Sequence, residues 1–557
     1  MSTLTIPQAM QMAARWHQSG QLAEAETIYR QILAQEPSFS EAKRALGGIA
    51  LAHHQMGDSL SDGGDWDAAC EAYARALSIR PDSVTTYYNM GLALHRLGRL
   101  AIAEQACRRA LSLNNDHADS HALLGLVLRQ MKRSTEAISH DMAALKIRRD
   151  WPEVLNNLGN ALLDEGRHDE AGAAFTRVID LQPACAEAHN NLGNVFRAQG
   201  RLDEAETAYR RAAQLKPTML DASSNLATVH MARGNDRLAE DLLRQLIADH
   251  PDFAPAHWNL SLILLGRGDY QNGWKEYEWR WGVEDLRLGT RLTSPRWNGE
   301  DIAGKTLVVH AEQGYGDAIQ FARLLPMAAA RCGKLIFVCC EELSRLLGSI
   351  QGISQTVLAG AGMVPAHDVQ CPLLSLPAVL GIDANHFAAG AYIRADNQIA
   401  RKWAGKLPSD GRKKIGLVWS GKSYPDPFRS MPVSELAALT DIHDVHWISL
   451  QTGLAAGSVP EGITLTGCGQ ELKNFDETAG LLANLDLLIS IDTAAAHLAG
   501  AMGKPAWVLV KKFPDWRWGR EGSACAWYPS VRLFRQQRSG DWSHPMRELA
   551  DALARGL

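Results

Sequence analysis

The chain has 557 residues, with 57 Lys and Arg against 62 Asp and Glu, giving a formal charge of −5. At roughly 150 residues per domain, that length predicts three to four domains. The near balance of charge argues against a protein built mainly to bind nucleic acid or an anionic membrane. With 46% hydrophobic and 21% charged residues, the chain can bury large cores instead of remaining disordered. No apolar run reaches the ~18 residues of a membrane span, and Met1 to Met10 shows neither a basic region nor an apolar core. The nine cysteines are scattered without a C-x-x-C spacing, and Cys339 and Cys340 are adjacent in an apolar run. A cytoplasmic chain with no disulfide framework and no zinc site is therefore expected. The tryptophan content is unusual for so ordinary a composition, at 16 residues.

The first half repeats. Gly64, Gly98, Gly166, Gly200, Gly234 and Gly268 recur at one constant interval, or at twice that interval where Lys132 fills the missing register. The period is about 34 residues, the length of a two-helix repeat. Alanines follow five residues later, from Ala69 to Ala239, and aromatics nine later at Tyr73, Phe175, Tyr209 and Tyr277. Prolines close copies at Pro81, Pro183, Pro217 and Pro251. Gly20, Ala25, Tyr29 and Pro37 form an earlier copy, separated by about ten extra residues that the Ser/Asp/Gly-rich stretch Gly57 to Gly64 is expected to hold. Such a unit is a helix–turn–helix: small residues where two helices approach, an aromatic filling the gap, and a proline starting the next unit. It resembles the tetratricopeptide repeat, with seven full copies and a partial eighth. Units of this kind bury their apolar faces by stacking into a superhelix with a concave groove.

A second ladder runs inside the first. Asn89, Asn157, Asn191, Asn225 and Asn259 each lie nine residues before the repeat glycine position, and Leu123 alone breaks the series. Asparagine is a poor helix-interior residue, so propensity does not explain the recurrence. Its amide offers both a donor and an acceptor. Two readings stand side by side: the ladder holds the backbone of an extended polypeptide, or each Asn bonds a neighbouring helix. The first resembles the asparagine ladder of O-linked N-acetylglucosamine transferases.

After Gly268 the period changes. Trp274, Tyr277 and Trp281 are spaced i, i+3, i+7, a stripe that closes the superhelix and packs against the second half of the chain. The expected organisation is a repeat superhelix over 8–284, a linker over 285–303, and two α/β halves over 304–395 and 396–557. Apolar runs at Thr306–His310, Leu335–Cys340, Ile415–Trp419, His446–Leu450, Leu485–Ile491 and Ala506–Val510 alternate with helical patterns such as Ala318–Ala330. That order predicts parallel sheets with working residues at strand C-termini. The fold class is thus all-α followed by α/β, two halves with a cleft between them in the layout of a GT-B glycosyltransferase.

Two motifs carry the functional weight. Glu312-Gln313-Gly314-Tyr315-Gly316-Asp317 follows a strand, and its glycines permit a tight turn and close approach of a ligand. Asp317 stands at a helix start, where an acidic residue is more often a cap than a base. Asp492-Thr493-Ala494-Ala495-Ala496-His497 joins a buried strand to a helix, whose free N–H groups favour an anion such as a diphosphate. His497, four residues after Thr493, is on the same face, either as a phosphate donor or as a core histidine. Asp65-Trp66-Asp67 has the spacing of a metal-binding carboxylate pair but lies in a repeat turn, and the second half holds no such pair.

With Gly416 to Gly421, Arg429-Ser430-Met431-Pro432, Ser449-Leu450-Gln451 and Pro514-Asp515-Trp516-Arg517-Trp518, residues 305–545 resemble glycosyltransferase family 9, which includes the lipopolysaccharide heptosyltransferases, and more closely its tetratricopeptide-fused bacterial relatives. The resemblance implies a metal-independent transferase using a nucleotide sugar as co-substrate and no other cofactor. Asp317 would be the general base. Lys422, Arg429, Gln451, Asp492, Thr493, Ala494, Ala495 and His497 would bind the donor, with Glu312, Gln313, Gly314 and Gly316 on the acceptor side. Gln451 reads equally as a loop-capping amide, and Lys422 to Phe428 departs from the loop of the repeat-fused relatives. The implied acceptor is a protein in the repeat groove, such as flagellin or another surface protein. Transfer to a lipopolysaccharide or capsule precursor, or an inactive scaffold, are the alternatives.

Overall fold

The computed structural model of the chain describes residues 5–283, 286, 292–360, 362–387, 390–422, 426–453 and 463–556. It forms two compact units, Met1–Ala222 and Ser223–Leu557.

The first unit is a tetratricopeptide superhelix of paired helices such as Val84–Arg96 with Leu100–Leu113, and Ala186–Ala198 with Leu202–Leu215. The repeat glycines between paired helices take positive φ, +71 at Gly98, +73 at Gly166 and +74 at Gly200, and Lys132 takes the same left-handed conformation at φ +64. The register therefore persists where its glycine does not, against a conformational cost of ~1–2 kcal/mol for a side-chain-bearing residue.

A second small-residue series sets how closely paired helices approach. A Cβ added at Gly57, Gly159 or Gly193 would lie 2.5–2.6 Å from the ring of Tyr73, Phe175 or Tyr209, each sixteen residues on. The next copy carries Ala227 where the glycine stood and Leu243 where the aromatic stood. In the copies that carry a ring, glycine and ring are two halves of one packing solution, while Gly91 and Gly125 face Cys107 and Asp141 at the same offset.

The ten-residue insertion is not where composition suggested. The helix Ser40–Asp62 has 23 residues against 13 for Val84–Arg96, and it runs unbroken through the Ser/Asp/Gly-rich stretch as far as Asp62, before the Gly63–Gly64 turn. Its polar residues there serve the packing: Asp58 Oδ1 accepts from the Tyr73 hydroxyl at 2.8 Å, and Ser61 Oγ lies 3.2 Å from it. The inserted residues extend the helix before Gly57.

The second unit opens with the last repeat helices, Asp236–Asp249, Ala254–Gly266 and Tyr270–Tyr277. Two parallel sheets come next, in a GT-B-like two-halved arrangement. The first holds β1 (Ile302–His310), β2 (Cys332–Cys339), β3 (Gln355–Leu358) and β4 (Val369–Pro372) in the order β3-β2-β1-β4. The second holds β5 (Lys413–Val418), β6 (Val445–Ser449), β7 (Leu465–Gly467), β8 (Leu487–Ile491), β9 (Ala506–Val510) and β10 (Val531–Arg535) in the order β10-β9-β8-β5-β6-β7. Chain order reverses at β1 in the first sheet and between β5 and β8 in the second. Those reversals open crevices at the strand C-termini, the general place for ligands in such sheets. The long helix expected over Ala318–Ala330 is instead Tyr315–Phe321, a 3-10 turn and Leu325–Ala329. Pro326, which has no backbone N–H, accounts for the break.

An aromatic cluster ties these parts together. Trp274 and Tyr277 of the last repeat helix pack edge-on to Trp516, with ring centroids 5.4 and 6.4 Å away, and Trp516 packs on Trp527 at 5.8 Å. Trp274 also meets Phe321 of the first half at 5.9 Å. Buried Arg323 donates to the carbonyls of Phe387 and Trp527, each at 2.9 Å, joining the halves by backbone.

If glycine and ring are one packing solution, Gly193→Ala should destabilise the chain by about 1–3 kcal/mol through overpacking. Gly193→Ala with Tyr209→Leu should be more stable than the sum of the single changes predicts. Urea unfolding of the four proteins measures this coupling, and strictly additive losses would refute it.

Candidate functional site

The two motifs, remote from each other in sequence, meet. The helix Tyr315–Phe321 leaves the C-terminal end of β1, and the helix Ala494–Ala501 leaves that of β8. They touch where Gly316 meets His497: a Cβ on Gly316 would lie 2.9 Å from His497 Cδ2. Gly316 therefore serves helix contact.

Asp317 sits in the first turn of its helix with its side chain 22% exposed. Its Oδ2 accepts from the Gly314 N–H at 3.0 Å. Its Oδ1 accepts from Arg517 Nη2. Arg517 in turn donates from Nη1 to Asp515 Oδ1 at 2.9 Å and from Nε to Gln320 Oε1 at 2.7 Å. Burial raises the Asp317 carboxyl above the usual range, with the Arg517 guanidinium pulling the other way. Burial works on Asp515 in the same sense, but Arg517 overcomes it and holds that carboxyl low. The sequence motif containing Asp515 and Arg517 is visible by itself; the partnership of Arg517 with Asp317, in the other half, has no local signal.

The rest of the first motif points inward. Glu312 pairs with Arg280 at 2.9 Å, and neither side chain is exposed. Glu312 Oε1 also accepts the Leu374 N–H at 3.2 Å, so this carboxylate locks the last repeat to the first sheet and offers nothing to solvent. Gln313 Oε1 lies 3.5 Å from the Tyr277 hydroxyl.

On the second sheet, Thr493 stands at the N-cap position of the helix Ala494–Ala501 without a side-chain cap bond, its Oγ1 lying instead 2.9 Å from Ser490 Oγ. Ala494 and Ala495 are half-buried in the first turn, where N–H groups have no intrahelical acceptor. Gly421 lies within 3.4–3.6 Å of Arg429 and Thr493, measured from an added Cβ, so the loop after β5 abuts this helix start. Arg429, Asp426, Asp492, Lys511, Pro514 and Asp515 line a small pocket there. Burial raises the Asp492 carboxyl, and neighbouring Asp515 adds to the rise. Arg429 also donates to the Lys422 carbonyl from Nε at 3.1 Å and Nη2 at 2.8 Å. Lys422 Nζ is 5.8 Å from the Tyr315 ring centre, a contact between the halves.

Two expected donor-site residues are placed otherwise. His497 is buried, stacked on Trp518 at 5.0 Å, with Nδ1 3.1 Å from the Tyr528 hydroxyl. Burial, with Arg517 nearby, pushes it down to about 3, so its ring is neutral at pH 7 and wedges the two helices. Gln451 accepts the N–H groups of Trp419 and Ser420 at 3.2 and 3.0 Å and donates to the carbonyls of Ser420 and Thr452 at 3.1 and 3.2 Å. Its amide is fully used in shaping the loop after β5.

The asparagine ladder is half-buried throughout. Asn89 donates to Asp58 at 2.8 Å, Asn191 to Asn156 at 3.0 Å and Asn259 to Ser224 at 3.0 Å, each partner lying 31 or 35 residues earlier. The Asn157 side chain makes no hydrogen bond to a described residue. The neighbouring-helix reading thus describes what three of these amide nitrogens do, and it fixes the carbonyl end of each amide without occupying it.

Comparison with known proteins bears on the repeats. A model of the Cilia and flagella-associated protein 70 C-terminal domain matches residues 4–232, and a tetratricopeptide repeat model matches residues 224–277. Protein FlbA of Caulobacter vibrioides is 27% identical over 317 residues, 50% of this chain and 52% of that protein. The chain thus spans about half the length of this curated relative. Among solved structures, the type IV pilus biogenesis factor PilW is 21% identical, with a TM-score of 0.35 over 36% of this chain and 94% of its own. YrrB, described as a TPR protein with an unusual peptide-binding site, is 21% identical, with a TM-score of 0.30 over 35% of this chain and 95% of its own. The chain is a tetratricopeptide-repeat protein distantly related to FlbA, with an α/β region after the repeats. No helix among the described residues is long and apolar enough to cross a membrane.

A histidine held neutral by burial makes stability depend on pH. Unfolded His497 takes up a proton below about 6.5 while folded His497 resists until about 3. The unfolded state therefore binds more protons across that window, and the stability contributed by neutral His497 is lost as pH falls, by at most about 1.4 kcal/mol per unit. Urea unfolding between pH 4 and 7 should show a slope shallower by up to one proton in His497→Asn; equal slopes would mean the ring is charged in the fold.

Proposed function

We propose that the chain is a metal-independent glycosyltransferase that moves a sugar from a nucleotide-activated donor to a protein acceptor held by the repeats, with a heptosyltransferase-like α/β region. The observation that carries this reading is that the helix of Asp317, at the C-terminal end of the first sheet's switch strand, touches the helix Ala494–Ala501 of the second sheet where Gly316 meets His497. One side supplies a carboxylate in a poorly hydrated setting, and the other supplies anion-stabilising N–H groups.

In this reading Asp317 takes the proton from the acceptor nucleophile as the new glycosidic bond forms. Its Oδ1 is held by Arg517 and its Oδ2 by the Gly314 N–H, which leaves further lone pairs on each oxygen for the incoming proton. The bond from the sugar to the donor's diphosphate breaks through an oxocarbenium-like transition state. The first-turn N–H groups of Ala494 and Ala495 and the Arg429 guanidinium stabilise the charge growing on the leaving diphosphate. Asp492 and Lys422 face the sugar and phosphate side, Thr493 stands at the helix start, and Gln451 and His497 position the elements that carry these groups. The carbonyls of Asn89, Asn157 and Asn191 in the first unit accept N–H groups of an extended acceptor. A flagellin or another surface protein would suit such a scaffold.

Asp317→Asn tests the reading. Transfer to protein, measured by intact mass of cellular proteins with and without the variant, should fall about 10²–10⁴-fold, while nucleotide-sugar binding stays near that of the parent chain and the thermal unfolding temperature is lowered by the loss of one counter-charge to Arg517. Undiminished transfer would remove Asp317 as the base. A change confined to glycolipids would remove the protein acceptor.

A further inference from the structure

A second concavity lies on the repeat side of the loop that carries Arg517. Met231, Ala232 and Leu262 face Phe513 and Trp516 across a space of about 150 Å³. The walls are built to fit: Gly234 leaves room for the Phe513 ring, where a Cβ would lie 2.2 Å from Phe513 Cε1, and an added Cβ on Gly266 would lie 3.7 Å from Trp516 Cβ. Its charged rim is already neutralised. Arg520 Nε lies 3.0 Å from Asp236 Oδ2, and Asp515 is paired with Arg517.

Three features define the occupant. A space of this size, walled by Met231, Ala232, Leu262, Phe513 and Trp516 and by the paired Asp515 and Arg520, holds one six-membered aromatic ring. Leu262 lies one helical turn beyond Asn259, hence on the same face of Ala254–Gly266, and the Asn259 carbonyl oxygen receives no hydrogen bond from a described residue, leaving an acceptor for a peptide N–H. Pro514 and Asp515 also line the pocket that contains Arg429 and Asp492. The two spaces therefore share a wall, and from that wall Asp317 is reached through one guanidinium, that of Arg517.

We propose that this cavity is an acceptor subsite that takes an aromatic side chain of a polypeptide, close in sequence to the residue that receives the sugar. The proposal rests on the transferase reading for its catalytic consequence, while binding at the cavity stands on its own. It makes the acceptor preference a property of the last repeat and of Phe513 and Trp516, and it identifies Leu262 and Ala232 as specificity-determining positions.

The test uses the full chain and two probes, N-acetyl-phenylalanine methylamide and N-acetyl-alanine methylamide, with an alkyl glucoside as a third. Tryptophan indole signals are followed by NMR on titration. The phenylalanine probe should bind about tenfold or more tightly than the alanine probe, as burial of a phenyl ring requires, and Ala232→Phe, which fills the cavity from a half-buried position, should abolish that preference. Ala232→Phe should also lower protein glycosylation about tenfold while leaving slow hydrolysis of the nucleotide sugar unchanged. Equal binding of the two amino-acid probes, preference for the glucoside, or unchanged glycosylation by Ala232→Phe would each overturn the subsite. If the parent chain neither hydrolyses nor transfers sugar but still selects the phenylalanine probe, the transferase reading fails and the subsite survives.

Discussion

The architecture of the candidate site depends on the burial of one guanidinium. Arg517 has a side chain only 10% exposed, and a cation taken that far out of water is tolerable only with close counter-charges. Its counter-charges come from two sources: Asp515 beside it on the loop after β9, and Asp317 at the end of β1 in the other half. Gln320 occupies a further donor. Removing either carboxylate leaves a buried charge partly uncompensated, a change that typically costs about 3–5 kcal/mol. The two halves are thereby held at the spacing at which the two motif helices touch through Gly316 and His497.

The same loop answers for much of the tryptophan content. Trp516 lies against the Arg517 guanidinium at 4.4 Å and against Trp274, Tyr277, Phe321 and Trp527. Large rings bury much apolar area with few rotatable bonds, so they suit a junction where a helix pair, a sheet edge and a loop meet at unrelated angles. Together with the Arg280–Glu312 pair, this cluster welds the last repeats to the α/β region. That is why the compact unit begins at Ser223, inside the repeat array, and not where the repeat period ends.

Legibility in the sequence followed local physics. The repeat register was readable because its turns require one backbone conformation in every copy, so strongly that Lys132 adopts it too. β1, β2, β5, β6, β8 and β9 were readable as apolar runs because they lie inside their sheets. β3, β7 and β10 were not: β3 and β7 are short and partly exposed, and β10 alternates Arg532 and Arg535 with apolar residues at a sheet edge. β4 hid for another reason, a buried polar pair in which Gln370 Oε1 lies 3.0 Å from His310 Nε2. The loops of the site were legible as motifs, but individual roles were not. Whether Gln451, Glu312 or His497 faces a ligand or the core depends on partners in other elements, remote along the chain, and spacing carries no record of those.

Two opposing effects set the basicity of Asp317. A base that must take a proton from a neutral nucleophile gains from poor hydration, because burial strengthens its hold on the proton. Burial alone favours the protonated carboxyl, the form that cannot act as a base. Arg517 sets the opposing limit, and the neighbouring Asp515 charge works against it at Asp317. Asp515 is also the wall common to the pocket of Arg429 and the cavity of Leu262 and Trp516. In the proposed reaction, the hold of Asp317 on a proton is thus set by burial on one side and by a guanidinium that also pairs with Asp515 on the other.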